Sequence, residues 1–331
     1  MNGGGRGSGS RRQRTASLFA CFASLILLAR AASTQSFASG GAGTAAADFL
    51  EQGVGARAIA MGGAYSAVAN DATALYWNAA DLVGIQKRSL VLMHSQYLAS
   101  TFYDYASYGQ KLPSGGAFGL GFQYLNAGSI SQTDANFNTI GSFSPYDLAV
   151  SAGYADTLKD VTDAPFLNGY AFGVAAKYVR SAILQAAQTG AVDLGVLSPF
   201  YFADRFRFAL TAQNLGGTLH FEQGSESLPV ILKAGSVVEI TGNWIASADV
   251  GAPRDDAPYV AVGTEYVFPI KDQWTVAGRL GYNSETMPGI AGLTGASAGV
   301  GLGYKSLDVD YAVVPYGGLG LTNTVSVGFK F

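Results

Sequence analysis

The sequence predicts an all-β protein: a transmembrane antiparallel β-barrel of about fourteen strands. Three observations carry that prediction. Charged residues make up 13% of the 331, where a soluble domain has about 25%, while 18 Tyr and 19 Phe must find apolar surroundings. Apolar residues recur with a period of two in segments of roughly 8 to 11 residues, the length a tilted strand needs to cross a bilayer. Finally, the chain ends on such a segment, closed by the aromatic Phe331.

Residues 1–31 form the first element, a leader outside the fold. Arg6, Arg11, Arg12 and Arg14 precede the apolar run 18–29, which suits a secretory signal and is too short to span a bilayer comfortably. Ala29-Arg30-Ala31 offers a small-residue cleavage site. Leu18-Phe19-Ala20-Cys21 resembles a lipoprotein box only faintly, and Arg14 occupies a position where a twin-arginine signal needs an apolar residue, so general secretion is expected. Five of the 20 basic residues and none of the 23 acidic ones lie in this leader. The remainder is therefore acidic, which disfavours nucleic acid as a partner.

Beyond the leader, no apolar stretch is long enough for a spanning helix. Strands are expected near 89–98, 102–112, 115–125, 146–156, 169–181, 189–198 and 205–214, and again near 229–239, 243–251, 258–268, 273–282, 296–305, 307–315 and 323–331. In the last, Val325, Val327, Phe329 and Phe331 face one way and Thr324, Ser326, Gly328 and Lys330 the other. The same contrast sets Phe172, Val174 and Tyr178 against Gly173, Ala175 and Lys177. One face is apolar with aromatics near the strand ends; the other is Gly, Ala, Ser and isolated charges. That is lipid outside and a crowded polar lumen inside. An even strand count closes the sheet and leaves no edge. Short turns such as Pro113-Ser114 and Lys305-Ser306 are expected on the periplasmic side. The connections 126–145, 157–168, 215–228 and 283–295 are expected on the outer side. Phe329 and Phe331 resemble an outer-membrane insertion signal, which implies the barrel assembly machinery as a partner alongside outer-membrane lipid.

Between leader and first strand runs FLEQGVGARAIAMGGAYSAVANDATALYWN, residues 49–78. It resembles the N-terminal signature of the PorV/PorQ family, relatives of the FadL-type hydrophobic-compound transporters. The likeness continues at Ala212-Gln213-Asn214-Leu215-Gly216, at Leu228-Pro229 with Gly235, and at Val262-Gly263-Thr264-Glu265-Tyr266. It resumes at Arg279-Leu280-Gly281-Tyr282, then at Asp308-Val309-Asp310-Tyr311-Ala312 through Pro315 and Leu319-Gly320. The resemblance implies that residues 32–88 fold inside the barrel as a plug and that 89–331 form the wall. The plug residues it singles out are Arg57, Met61, Gly62, Gly63, Asn70, Asp71, Trp77 and Asn78. The family continues Asn-Pro-Ala-Gly where this chain has Asn78-Ala79-Ala80-Asp81, so the turn leaving the plug is expected to differ.

Inward charges come in opposite signs on neighbouring strands: Lys177 with Asp193, Glu265 with Arg279, and Asp310 with Lys330, Asp308 lying close by. Such pairs stabilise a wall by roughly 0.2–1 kcal/mol each, and their mixed signs argue against a strongly ion-selective pore. Arg57 is expected to pair with lumen carboxylates. His94 and His220 are the only histidines, and neither has a nucleophile-and-base signature around it. With Cys21 in the leader, thiolate metal sites and disulfides are excluded. No catalytic residue, metal or cofactor is expected.

Two functions lead, the cargo-shuttle role slightly ahead of transport, and an enzyme or a purely structural barrel is the third reading. PorV-like barrels imply a binding and shuttle role for secreted cargo proteins in type IX-like secretion. FadL-like barrels imply passage of a hydrophobic small molecule. Loop 126–145, with Ile130, Phe137, Ile140 and Phe143, and loop 283–295, with Met287, Ile290 and Leu293, suit either.

Overall fold

The computed structural model describes residues 46–98, 101–159, 164–183, 185–221, 224–285 and 291–331. The leader 1–31, its cleavage site, and Met287 and Ile290 lie outside these.

Fourteen antiparallel strands close into one barrel. The wall runs through β1 (Arg88–Gln96), β2 (Phe102–Lys111), β3 (Ala117–Asn126), β6 (Tyr146–Thr157), β7 (Ala171–Ala182), β8 (Ala186–Leu197) and β9 (Phe206–Leu215). It continues through β12 (Ile231–Thr241), β13 (Trp244–Pro253), β14 (Tyr259–Pro269), β15 (Trp274–Asn283), β16 (Ala296–Tyr304), β17 (Leu307–Pro315) and β18 (Leu321–Lys330), which pairs back onto β1. Two hairpins stand apart from the wall, β4 (Ile130–Thr133) with β5 (Thr139–Phe143), and β10 (Thr218–Phe221) with β11 (Gly224–Ser227). Both fall where the sequence suggested plain loops.

The wall is turned inside out relative to a soluble sheet. On β18, Thr322, Thr324 and Ser326 are buried while Leu321, Val325 and Phe329 are exposed; on β7, Ala175 and Lys177 are buried while Phe172, Val174 and Tyr178 are exposed. Apolar exposure of this kind requires lipid as solvent, and closure gives every wall strand a partner on both sides. Outward aromatics gather near strand ends: Trp274 stacks on Tyr304 at 4.5 Å, Tyr266 meets Phe268 at 4.3 Å, and Tyr124 lies 6.1 Å from Tyr146. These are the girdles expected at the two interfaces.

One connection sits on the opposite side from that expected. Because β6 is the fourth wall strand, the segment 157–168 leaves at the same end as turns 112–116, 242–243 and 305–306. Length suggested the outer side, but strand parity decides it. At the outer end, β10–β11 folds over the lumen with Leu219 and Leu228 buried, whereas β4–β5 projects with Ile130, Phe137 and Ile140 exposed. Leu293, in the last long connection, is exposed as well.

Residues 46–85 lie within the barrel. Phe49, Leu50, Val54, Met61, Tyr65, Leu75, Tyr76, Trp77, Leu82 and Ile85 are all buried there. This segment consists of short turns: Asp48–Glu51, Ala56–Ala60, Ala74–Trp77 and Ala79–Gly84. The Ala56–Ala60 turn stops at Gly62 and Gly63, both left-handed at φ 68 and 76, with Gly63 N donating back to Ala58 O at 3.0 Å.

Candidate functional site

A chain segment without long helices or strands of its own must satisfy its backbone polar groups elsewhere. Here the inward side chains of the wall do so. Gly55 N reaches Met93 Sδ at 3.0 Å, Ala56 N donates to Ser326 Oγ at 3.1 Å, and Ala72 N donates to Ser89 Oγ at 3.0 Å. Ser297 Oγ donates to Ala60 O at 3.1 Å, Arg207 Nε to Ala67 O at 2.7 Å, and Gln213 Nε2 to Tyr76 O. Asp249 Oδ2 accepts from Tyr65 N, Ser66 N and Ser66 Oγ. The sequence reading missed Asp249, Arg207 and Gln213. Their only signal is a polar side chain on an inward position, and nothing local marks their backbone partners.

Arg57 is the centre of the lumen charges. Its Nε and Nη2 fork onto the two Glu265 oxygens at 2.8 and 2.7 Å, and Nη1 donates to Asn70 Oδ1 at 2.9 Å. Arg279, the register partner of Glu265, donates Nε to Glu265 Oε2 and Nη1 to Asp310 Oδ1, both at 2.6 Å. The expected Asp310–Lys330 pair therefore does not form. Lys330 instead reaches Asp308 at 2.9 Å, near the rim, where both side chains are part exposed. The physical reason is reach: Arg279 has a second guanidinium edge free to span to β17, while Lys330 lies opposite Ser89 at the end of its strand.

Lys177 and Asp193 pair at 2.7 Å and are almost wholly buried. Register slips where the inward Asp193 faces two β9 residues, Gln213 and Asn214; Asp193 accepts from Asn214 N, while Lys177 Nζ donates to Asn214 Oδ1 at 2.8 Å. Asp71 folds onto Thr73 N and Oγ1. Trp77 Nε1 donates to Val54 O at 2.9 Å, and Met61 is fully buried. Asn78 accepts from Ala80 N and donates to Ser66 O, capping the turn Ala79–Gly84. Within it Asp81 is buried, and burial, only partly offset by Arg207 and the Ala69 backbone, holds its carboxyl well above the usual range. Gly62 lies against the wall so closely that a Cβ would stand 2.7 Å from Tyr282 N. Phe329 faces outward on β18, and Phe331 closes the seam, its N and O bonded to Arg88. His94 points outward with Nδ1 2.7 Å from Asp104, and His220 lies on β10 against Ser225.

The lumen thus has two zones. Toward the outer mouth lies an apolar aromatic layer: Trp77 meets Tyr76 edge-on at 5.0 Å and Tyr65 at 5.8 Å, and Tyr76 meets Tyr105 at 6.5 Å. Phe49, Leu50, Tyr103, Leu219 and Leu228 belong to the same cluster, which continues along one side of the lumen through Leu75 to Leu82 and Ile85. Toward the periplasmic rim lies a polar cavity of about 220 Å³, lined by Arg57, Asn70, Glu265, Arg279, Asp308, Asp310 and Lys330 among others.

Solved structures share this architecture. The toluene transporter TodX of Pseudomonas putida superimposes with a TM-score of 0.57 at 13% identity, over 85% of this chain and 98% of that one. The fold is that of the FadL-type outer-membrane barrels. The toluene transporter TbuX of Ralstonia pickettii gives 0.52 at 14% identity, over 84% and 98%. A FadL homologue of Pseudomonas aeruginosa gives 0.50 at 12%, over 83% and 97%. No protein-family model and no curated protein matches the sequence. With its lipid-facing apolar band, the chain is an outer-membrane β-barrel of a diderm bacterium.

Proposed function

We propose that this barrel passes small hydrophobic molecules across the outer membrane, with residues 46–85 acting as a plug. The observation that carries the reading is the buried aromatic layer of Tyr76, Trp77, Tyr103 and Tyr105 beneath the outer mouth. Aromatic faces of this kind are what a hydrophobic ligand packs against. The fold shared with two proteins described as toluene transporters supports the same reading. Mixed-sign charges below the layer give an ion no consistent attraction along the axis.

Uptake of labelled toluene by cells expressing the barrel, compared with cells carrying an empty vector, tests this. Faster toluene entry with unchanged entry of a sugar of similar size is expected. Equal toluene entry in the two cell lines would reject the reading.

The cargo-holding role implied by the PorV/PorQ resemblance draws on one feature, the exposed hairpin β4–β5 with Phe137 90% accessible at its tip. Among the three matched structures named above, none is described as a cargo carrier. The small-molecule reading therefore stands first.

A further inference from the structure

The outer mouth carries charge of predominantly one sign. Asp48 lies within electrostatic reach of Asp147, Glu226 and Asp255, and Glu51 within reach of Glu285, Asp255 and Asp48. The cations beside them are Arg254, whose Nη2 donates to Leu228 O at 3.0 Å, and Lys233. Lys233 is unusual for a lumen lysine. Its side chain is more than nine-tenths buried at the outer end of β12, and its ammonium stands over the Trp77 ring, 5.4 Å from the centroid. Among the described residues it makes no hydrogen bond or ion pair, although Glu51, Glu285 and Asp249 are all within electrostatic reach. Glu51 Oε1, in turn, is buried without a hydrogen-bond partner.

Unmade hydrogen bonds at buried polar groups are costly; Glu51 Oε1 is such a group and the Lys233 ammonium has only the Trp77 ring beside it, so together they specify what completes them. A bare hydrocarbon leaves both unpaired. A carboxylate pairs with Lys233 but must pass the acidic mouth and lie against Glu285, where like charges repel. A hydroxyl does both jobs, its oxygen accepting from Lys233 and its hydrogen going to Glu51. Burial first, then Glu285, pushes the Glu51 carboxyl up to about 8, so at neutral pH it can accept or donate. We propose that the floor of the mouth binds the hydroxyl head of a neutral hydrophobic compound, a phenol or an alcohol, between Lys233 and Glu51, with the apolar body on the Trp77 layer. This rests on the small-molecule reading and narrows it.

The test uses the full barrel in lipid nanodiscs, with Trp244→Phe and Trp274→Phe removing the two outward tryptophans so that Trp77 alone reports. Toluene, 4-methylphenol and 4-methylbenzoate are titrated at pH 7, where an aromatic hydroxyl with pKa near 10 is neutral and a carboxyl with pKa near 4 is ionised. The expected result is 4-methylphenol binding about three- to tenfold tighter than toluene, the size of one net hydrogen bond, with 4-methylbenzoate weakest. Lys233→Met and Glu51→Ala should each erase the advantage over toluene, and Lys233→Arg should keep part of it. Equal or tighter binding of 4-methylbenzoate overturns the proposal, as does an unchanged phenol-to-toluene ratio in both Lys233→Met and Glu51→Ala. If toluene and 4-methylphenol bind alike, the hydroxyl site falls and the channel reading stands. If none of the three perturbs Trp77, both fall.

Discussion

Glu265 is the residue on which two arginines converge, Arg57 from the lumen segment and Arg279 from the neighbouring strand. Both oxygens are used, and the carboxylate is buried. Glu265→Gln keeps the shape and removes the charge, leaving two guanidinium groups short of compensation in a buried site. Removing one partner of such a pair costs about 3–5 kcal/mol. The expected outcome is an earlier urea unfolding midpoint and larger, noisier single-channel conductance; a variant as stable and as quiet as wild type would show the network to be dispensable. Glu51 adds a pH dependence at the other end of the segment. Its carboxyl rises from 4.5 to about 8, chiefly through burial and secondarily through Glu285. An acid that binds its proton more tightly when folded contributes most stability at low pH and loses it as pH climbs between those two values. Anchoring of residues 46–54 should therefore weaken from pH 5 to pH 9, read as faster amide hydrogen exchange after correction for intrinsic rates. Glu51→Gln should flatten that trend, and an equal slope in the variant would assign the trend elsewhere.

The seat of the lumen segment is made by small residues on wall strands. A Cβ on Gly281 would run into Gly62 N and the Met61 carbonyl carbon, one on Gly263 into Met61 O, and one on Gly173 into Ala80 N. Gly281→Val should leave a barrel that still shows heat-modifiable migration but whose segment is unseated, so that conductance rises toward that of a deletion of residues 48–80. Unchanged conductance in both would mean that the segment does not obstruct the lumen. The wall strands were legible because lipid and lumen impose opposite chemistry on alternate residues. The hairpins were not: β4–β5 is exposed on both faces, and on β10 the alternation of Thr218 and His220 with Leu219 and Phe221 runs for only four residues, too short to stand out from a loop. Within the site, Glu265–Arg279 was legible because the two residues are direct cross-strand partners. The Arg279–Asp310 contact was not, since it spans β16, and Gly301 is what lets the guanidinium pass. Asp249 escaped notice because it binds backbone N–H groups, which look alike in every sequence.

At the scale of the molecule, closure depends on the seam between β1 and β18, where eight residue pairs run from Ser89↔Lys330 to Gln96↔Asn323. Phe331 extends it by one more step: its N donates to Arg88 O at 3.1 Å, its O accepts from Arg88 N at 3.0 Å, and the Arg88 guanidinium lies 5.9 Å over its ring. Two roles for this residue predict different losses. As a seam residue it supplies a pair of backbone hydrogen bonds, each worth about 0.5–1.5 kcal/mol net, a small part of a wall closed along its whole height. As a signal read during insertion, its ring matters and its backbone does not. Phe331→Ala keeps the backbone pair and removes the ring, so the signal role predicts a several-fold drop in assembled barrel in the outer membrane, while protein that does assemble unfolds close to the wild-type urea midpoint. Deleting Phe331 should lower yield by a similar factor and add a modest stability loss. Wild-type yield from Phe331→Ala, with loss only on deletion, would confine the residue to the seam.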